Sequence, residues 1–260
     1  MTADPLDDLR SDPAAAALLL DVDGTLAPIV EDHDAAQVPP ETAAVLVDLS
    51  GRYRLVACIS GRHALDARRI VGLDQLVYAG NHGFELLLPG ETEPALDPRV
   101  GTAAGLAEEF TSNLDRDALA EAGIRLEDKG PIHAIHWLGA PDIAEAEAEA
   151  ERIAADAEAA GLDVRRGRLV LELRPRVPVD KGAAVRRLVE TAGASAALYA
   201  GDDRTDLDAF AALRDLTATG ALDTAVCVGV ASDEGPAEIQ RDADVVVGSP
   251  AEFLDLLRAL

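Results

Sequence analysis

The chain has 260 residues, 23 Lys plus Arg against 48 Asp plus Glu, a formal charge of −25, and 48% hydrophobic residues. That apolar content fills a sizeable core and excludes a disordered acidic tail. The acidity excludes sequence-independent nucleic-acid binding, which needs cations to displace counterions from phosphates, and argues against an anionic membrane surface.

In chain order, residues 1–12 are polar and read as a loose leader. Ala14 to Leu20 is an apolar run stopped by Asp21, Asp23 and Gly24, the mark of a buried parallel strand ending in a functional loop. It is too short to span a bilayer, and the segment before it lacks the cationic start of a signal peptide, so a cytoplasmic protein is expected. Pro39 to Leu49 has helical spacing. Arg54 to Ile59 and Leu76 to Ala79 are further strands, stopped by Ser60-Gly61 and by Gly80-Asn81-His82-Gly83. Cys58 and Cys227 lie in apolar runs and read as small buried hydrophobes with no disulfide framework. Near residue 95 the rhythm changes. Pro98 to Leu114 reads as a helix, then two hairpin-like segments, Arg125 to Leu138 and Val164 to Arg174, flank a helix from Asp142 to Ala160 closed by Gly161. After Pro175 and Pro178 the alternation resumes: a helix from Gly182, a strand at Ala196 to Ala200 and a helix from Asp206 to Leu213. Strands at Ala225 to Val230 and Ala243 to Val247 and a helix from Pro250 to Leu260 complete it. The fold class predicted is α/β, a doubly wound, mostly parallel sheet at 13–95 and 176–260, with a small α+β domain inserted at 96–175.

Loops at strand carboxyl ends gather the site of such a sheet. Here they bring Asp21 and Asp23, Ser60, Lys181 and the group Asp202, Asp203 and Asp206. Carboxylates from separate strands are hard oxygen ligands suited to Mg²⁺. Asp21 is placed to attack phosphorus. Asp23, two residues on, is placed to protonate a leaving alkoxide and then deprotonate water. Ser60 and Lys181 would hold phosphoryl oxygens. Any one Asp at a strand end reads equally as a helix cap or turn, but the ordered set does not. The chain holds only two lysines, Lys129 and Lys181, beside 21 arginines, and Arg replaces Lys poorly where a compact point charge is needed. In the insert, strand alternation puts Leu169, Leu171 and Leu173 on one face and Val170, Glu172 and Arg174 on the other, while Glu127 and Lys129 share a face. These charges read either as hydroxyl-binding groups for a sugar or as exposed ion pairs.

The strings DVDGTLAPI at 21–29, ISGR at 59–62, GNHG at 80–83, EDKGP at 127–131, LELRP at 171–175, VDKG at 179–182 and GDDRTDLDAF at 201–210 resemble the trehalose-6-phosphate phosphatase family of the haloacid dehalogenase superfamily. The likeness runs from about residue 16 to the C-terminus. It implies a Mg²⁺-dependent phosphatase acting through an aspartyl-phosphate, with Asp21 as nucleophile and Asp23 as general acid/base. Ser60, Arg62 and Lys181 are implied for phosphate, Asn81, His82, Glu127, Lys129 and Glu172 for substrate, and Asp21, Asp23, Asp202 and Asp206 for metal. Asp206, four residues after Asp202, is implied either to support the ligands from behind or to serve as an alternate ligand. The insert then corresponds to a lid-like cap that sets substrate specificity, and a functional link to trehalose-6-phosphate synthase is implied. His136-Trp137-Leu138 departs from the family's aromatic–Arg pair, so a cation near the sugar is either missing here or supplied by Arg125 or Arg174. His33, His63 and His133 lack metal-ligand spacing and read as ordinary polar residues; Gly24 and Gly201 read as backbone requirements. Other substrates within the class are sucrose phosphate or a glycosyl-phosphoglycerate. A phospho-receiver domain uses similar reagents but is about half this length and lacks the second Asp. A Rossmann dehydrogenase would need G-x-G-x-x-G where DVDGT stands.

Overall fold

The computed structural model describes residues 4–30, 35–231 and 235–260, so His33 lies outside the described residues. The chain forms two compact units, one from the segments up to Ala95 and from Val179 to Leu260, the other from Leu96 to Pro178.

The first unit begins with α1 (Asp7–Ser11), β1 (Ala16–Leu20), α2 (Pro40–Arg52), β2 (Leu55–Ile59), α3 (Ala64–Val71), β3 (Val77–Gly80) and β4 (Glu85–Leu87). A two-residue strand, β5 (Ala95–Leu96), leads out of it. The second unit holds α4 (Leu106–Ser112), α5 (Arg116–Glu121), β6 (Arg125–Asp128), β7 (His133–His136), α6 (Ile143–Ala159), β8 (Leu162–Gly167) and β9 (Val170–Pro175). The first unit resumes with α7 (Lys181–Ala192), β10 (Ala196–Gly201), α8 (Asp206–Ala218), β11 (Thr224–Val230), α9 (Ala237–Asp242), β12 (Val245–Val247) and α10 (Pro250–Arg258).

The larger sheet runs β12-β11-β10-β1-β2-β3-β4-β5. Its strands are parallel from β12 to β3, and β4 pairs antiparallel with β3. All five residues of β1 are buried, because helices cover both faces of a parallel sheet. Leu18 and Leu20 pack with Leu46 and Leu49 of α2 and with Phe253 of α10. Leu19 faces the other layer, with Val185 and Leu188 of α7 and Phe210 of α8. Each such leucine contributes about 1.5–3 kcal/mol by leaving water. Strand order reverses between β1 and β10, the place where an open sheet leaves a crevice at its carboxyl edge. There Leu20 lies beside Ala200, and Asp21 N donates to Ala200 O at 2.9 Å, which sets Asp21 next to Gly201-Asp202.

In the second unit an antiparallel sheet, β6-β7-β9-β8, packs one face on the helices through Ile135, Leu171 and Leu173 against Ala107, Ile153 and Ala157.

Four local expectations change. The leader is not loose over its described part: α1 forms, Leu6 and Leu9 are buried, and Arg10 Nε donates to Ala259 O at 2.9 Å. Two leucines three apart suffice to dock one helical turn. The helix predicted at Pro98 to Leu114 is a 3₁₀ turn at Gly101–Gly105 followed by α4, since Gly101 and Gly105 lower helix propensity. Leu169 lies in the β8–β9 turn, with φ of 57°, just before the strand it was expected to belong to, and still packs against the same core as Leu171 and Leu173. The β4 strand went unread because three residues carry too little alternation to register.

Candidate active site

At the β1–β10 crevice, Asp21, Asp202 and Asp206 offer carboxylate oxygens that all lie within 4.8 Å of one another. Asp21 follows β1, Asp202 follows β10, and Asp206 opens α8. Into this group comes Lys181, the first residue of α7, whose Nζ donates to Asp21 Oδ1 and to Asp206 Oδ1, each at 2.6 Å. A cation at a helix N-terminus opposes the helix dipole; two buried carboxylates reverse that penalty. The preceding Asp180 caps α7 by accepting from Ala183 N at 2.7 Å.

The three carboxylates differ in how they are held. Asp206 Oδ1 accepts from Lys181 and from the Tyr199 hydroxyl at 2.6 Å, and its Oδ2 accepts from the backbone N–H of Asp202 and Asp203 at 2.9 Å. Those four bonds fill a carboxylate's lone-pair sites, so Asp21 and Asp202 carry the more open oxygens of the group. Asp202 Oδ1 accepts from Thr25 Oγ1 at 3.4 Å. Gly24 has φ of +78°, and a Cβ there would stand 2.1 Å from Asp202 Oδ2, so both conformation and space require glycine. At Gly201 the reason is space alone, a Cβ falling 2.2 Å from Asp206 Cγ.

The donor set fits a hard divalent cation: carboxylate oxygens with neither thiolate nor imidazole, and more negative charge than Lys181 alone can balance. Burial pushes Asp202 up to about 7, with Asp206 adding repulsion. Burial likewise lifts Asp21 well above the ordinary carboxylate range, against the pull of Lys181. Burial works against the Lys181 ammonium, but Asp206 and Asp21 outweigh it and raise its pKa. A stability profile follows for the metal-free protein. Asp202 keeps its proton up to about pH 7 when folded and ionises near 3.8 when unfolded. Its contribution is therefore complete below the lower value and is lost as pH rises through the higher one. Calorimetry in a chelator should show the melting temperature falling between about pH 4 and 7, and less steeply in Asp202→Asn. A profile that rises with pH in that window contradicts the assignment.

Asp23, the fourth of the expected metal ligands, stands outside this carboxylate group. It takes a two-pronged pair from Arg62, Nε to Oδ2 and Nη2 to Oδ1, each at 2.7 Å. A fork–fork geometry of this kind fixes both partners, and it gives Arg62 a carboxylate partner, where phosphate was expected. Ser60 is buried and its Oγ accepts from Arg62 N at 3.1 Å. Asn81 is buried and His82 half-buried, and their backbone N–H groups bond to Arg62 O and Ser60 O. His63 caps α3 through Nδ1. Tyr199 and Thr25, which complete the shells of Asp206 and Asp202, were missed from sequence; their nearness to D-x-D-G-T and G-D-D was the available signal.

Within the second unit, the sheet face turned from the helices carries the predicted substrate residues. Register aligns Glu127, Ala134, Glu172 and Arg165 in one row across β6, β7, β9 and β8. Lys129 Nζ donates to Glu172 Oε1 at 3.1 Å, and His136 Nε2 lies 2.7 Å from Glu127 Oε2. The His136 contact and, less so, Lys129 hold Glu127 below the usual carboxylate range. Arg174 on this face is buried and Arg125 exposed. His133 is buried on the opposite side, its Nδ1 2.8 Å from Thr111 Oγ1. No described helix is long and apolar enough to cross a membrane.

The chain is similar to known proteins along most of its length. It is 36% identical over 207 residues to a trehalose-phosphate phosphatase of Mycobacterium avium, covering 76% of this chain and 51% of that protein. Against a trehalose-phosphate phosphatase of Mycolicibacterium paratuberculosis it is 38% identical over 208 residues, with the same coverage. It thus spans about half the length of these relatives. A solved C-terminal domain of a Candida albicans trehalose-6-phosphate phosphatase shares the fold, with a TM-score of 0.73 at 22% identity, covering 98% of this chain and 94% of that one. Residues 19–243 match the family model for trehalose-phosphatase, and by that match and those identities the chain belongs to the trehalose-phosphatase family.

Proposed function

We propose that the protein is a Mg²⁺-dependent phosphatase that hydrolyses trehalose 6-phosphate to trehalose and phosphate through an aspartyl-phosphate. The observation that carries the reading is the buried meeting of Asp21 and Asp202, which follow adjacent strands, with Lys181 at the start of α7, its Nζ 2.6 Å from Asp21. An Asp21 oxygen attacks phosphorus as the bond to the sugar oxygen breaks, and Asp23 gives that oxygen its proton. Asp23 then removes a proton from water, which attacks the acyl phosphate and frees Asp21. Lys181 and Ser60 hold phosphoryl oxygens as charge develops, and Arg62 keeps Asp23 oriented through its paired bonds. When bound, Mg²⁺ supplies Lewis-acid neutralisation of the phosphoryl group; Asp21 and Asp202 would hold it, with Asp206 anchoring the lysine and the loop.

The second unit serves as the cap that reads the sugar in this proposal, with Glu127, Lys129 and Glu172 meeting hydroxyls and Asn81 and His82 contributing from the core. A pathway link to the synthase that makes this sugar phosphate follows from the substrate. The two buried free cysteines, Cys58 and Cys227, fit a reducing cytoplasmic setting. The test is phosphate release with Mg²⁺ from trehalose 6-phosphate, sucrose 6-phosphate, a phosphorylated glucosylglycerate and p-nitrophenyl phosphate. Trehalose 6-phosphate should lead clearly, and equal rates across the sugars overturn the assigned substrate. Glu172→Ala should lower kcat/KM for trehalose 6-phosphate about 100-fold while changing that for p-nitrophenyl phosphate far less.

A further inference from the structure

Glu85 is 2% exposed, and no step above uses it. It opens β4, and the register sets it opposite Gly80 at the end of β3. Between them the chain reverses through three left-handed residues in succession, Asn81 at φ 50°, His82 at 57° and Gly83 at 99°. For Asn and His that conformation costs free energy and persists only where surroundings over-determine it. Glu85 supplies much of that constraint. Its Oε1 accepts from Ala64 N, in the first turn of α3, at 2.6 Å, and the Asn81 side chain hydrogen-bonds the same carboxylate. Its Oε2 lies 3.4 Å from His63 Nε2. Because His63 Nδ1 accepts from Leu65 N, the neutral ring carries its proton on Nε2 and presents a donor to Glu85. A Cβ on Gly80 would stand 2.3 Å from Ala64 N and 2.5 Å from Glu85 Oε1, so strand end, helix start and carboxylate are in close contact. The turn above is joined to the 60–62 loop by Asn81 N to Arg62 O at 2.7 Å and His82 N to Ser60 O at 2.9 Å.

We propose that Glu85 is a positioning residue: by gathering Ala64 N–H, His63 and Asn81 on one buried carboxylate, it locks the Ser60–Arg62 and Asn81–His82 loops together and so sets affinity for the sugar phosphate. The part about affinity rests on the proposed function; the part about the loops does not. Glu85→Gln keeps the shape but puts an amide NH₂ where the carboxylate accepts from several donors. Two measurements on the full chain separate the claims. Substrate-free hydrogen exchange at the amides of Asn81 and His82 should speed up about tenfold or more, with β1 and β10 amides unchanged. KM for trehalose 6-phosphate should rise about tenfold with kcat within a few-fold of wild type. Unchanged exchange in Glu85→Gln overturns the proposal, as does acceleration spread evenly through the sheet, which makes Glu85 a general stability residue. Loosened loops with an unchanged KM overturn the link to affinity. If wild type leaves trehalose 6-phosphate intact, the proposed function fails while the exchange result still decides the role of Glu85.

Discussion

Asp21→Asn should lower kcat for phosphate release by about 10⁴-fold or more, the scale seen when a covalent nucleophile is removed. The amide lacks the charge and the basicity to attack phosphorus, yet it matches the carboxylate in size. It also relieves a buried charge already disfavoured at that position, so the chain should remain folded by circular dichroism. A second arm uses rapid acid quench: wild type should trap labelled phosphate on protein, and Asp21→Asn should trap none. Activity within tenfold of wild type would transfer the nucleophilic role to water and overturn the covalent route.

Lys181→Met should destabilise the metal-free protein by about 3–5 kcal/mol, the cost of stranding buried charge by deleting its partner. Lys181 is 3% exposed and bonds two carboxylates that are themselves buried, so solvent screens little of this loss. Urea denaturation in a chelator reads it directly. Adding Mg²⁺ should restore more stability to the variant than it gives wild type, because a divalent cation replaces the missing positive charge. A loss below about 1 kcal/mol would place the pair in the class of weak surface bridges. Activity should fall as well, and the two readouts separate a catalytic defect from a folding one.

The apolar run before Asp21-Val22-Asp23-Gly24 made the central strand legible, because a parallel strand covered on both faces is continuously hydrophobic and its loop abruptly is not. The same logic located Asp202; Lys181 opens α7 and not a loop after a strand, and the scarcity of lysine was the signal that pointed to it. What the sequence could not reveal was which oxygen faces which donor. Asp21 and Asp23 are two residues apart, yet one lies buried beside Lys181 and the other pairs with Arg62. That division is made by tertiary approach, because Arg62 comes from the end of another strand. Asp206 likewise reads as a ligand by spacing, and only the convergence of Tyr199, Lys181 and two amides shows how fully it is engaged. In the second unit, alternation correctly separated Leu171 and Leu173 from Glu172. Leu169 packs against that core too, although a turn and not the strand carries it.

The placement of β10 beside β1 has a kinetic consequence for how the protein is made. Asp21 and Lys181 are 160 positions apart along the chain, and in sequence the whole second unit falls between the two segments that form the first. Loop-closure entropy grows only with the logarithm of length, so carrying that insert costs the finished fold little. Such remote strand pairing is nonetheless slow, because closure precedes the contacts that reward it. During synthesis Asp21 leaves the ribosome long before Lys181 does. The nascent chain therefore holds Asp21 without its charge partner until α7 arrives, and the buried group of Asp21, Lys181 and Asp206 comes together late.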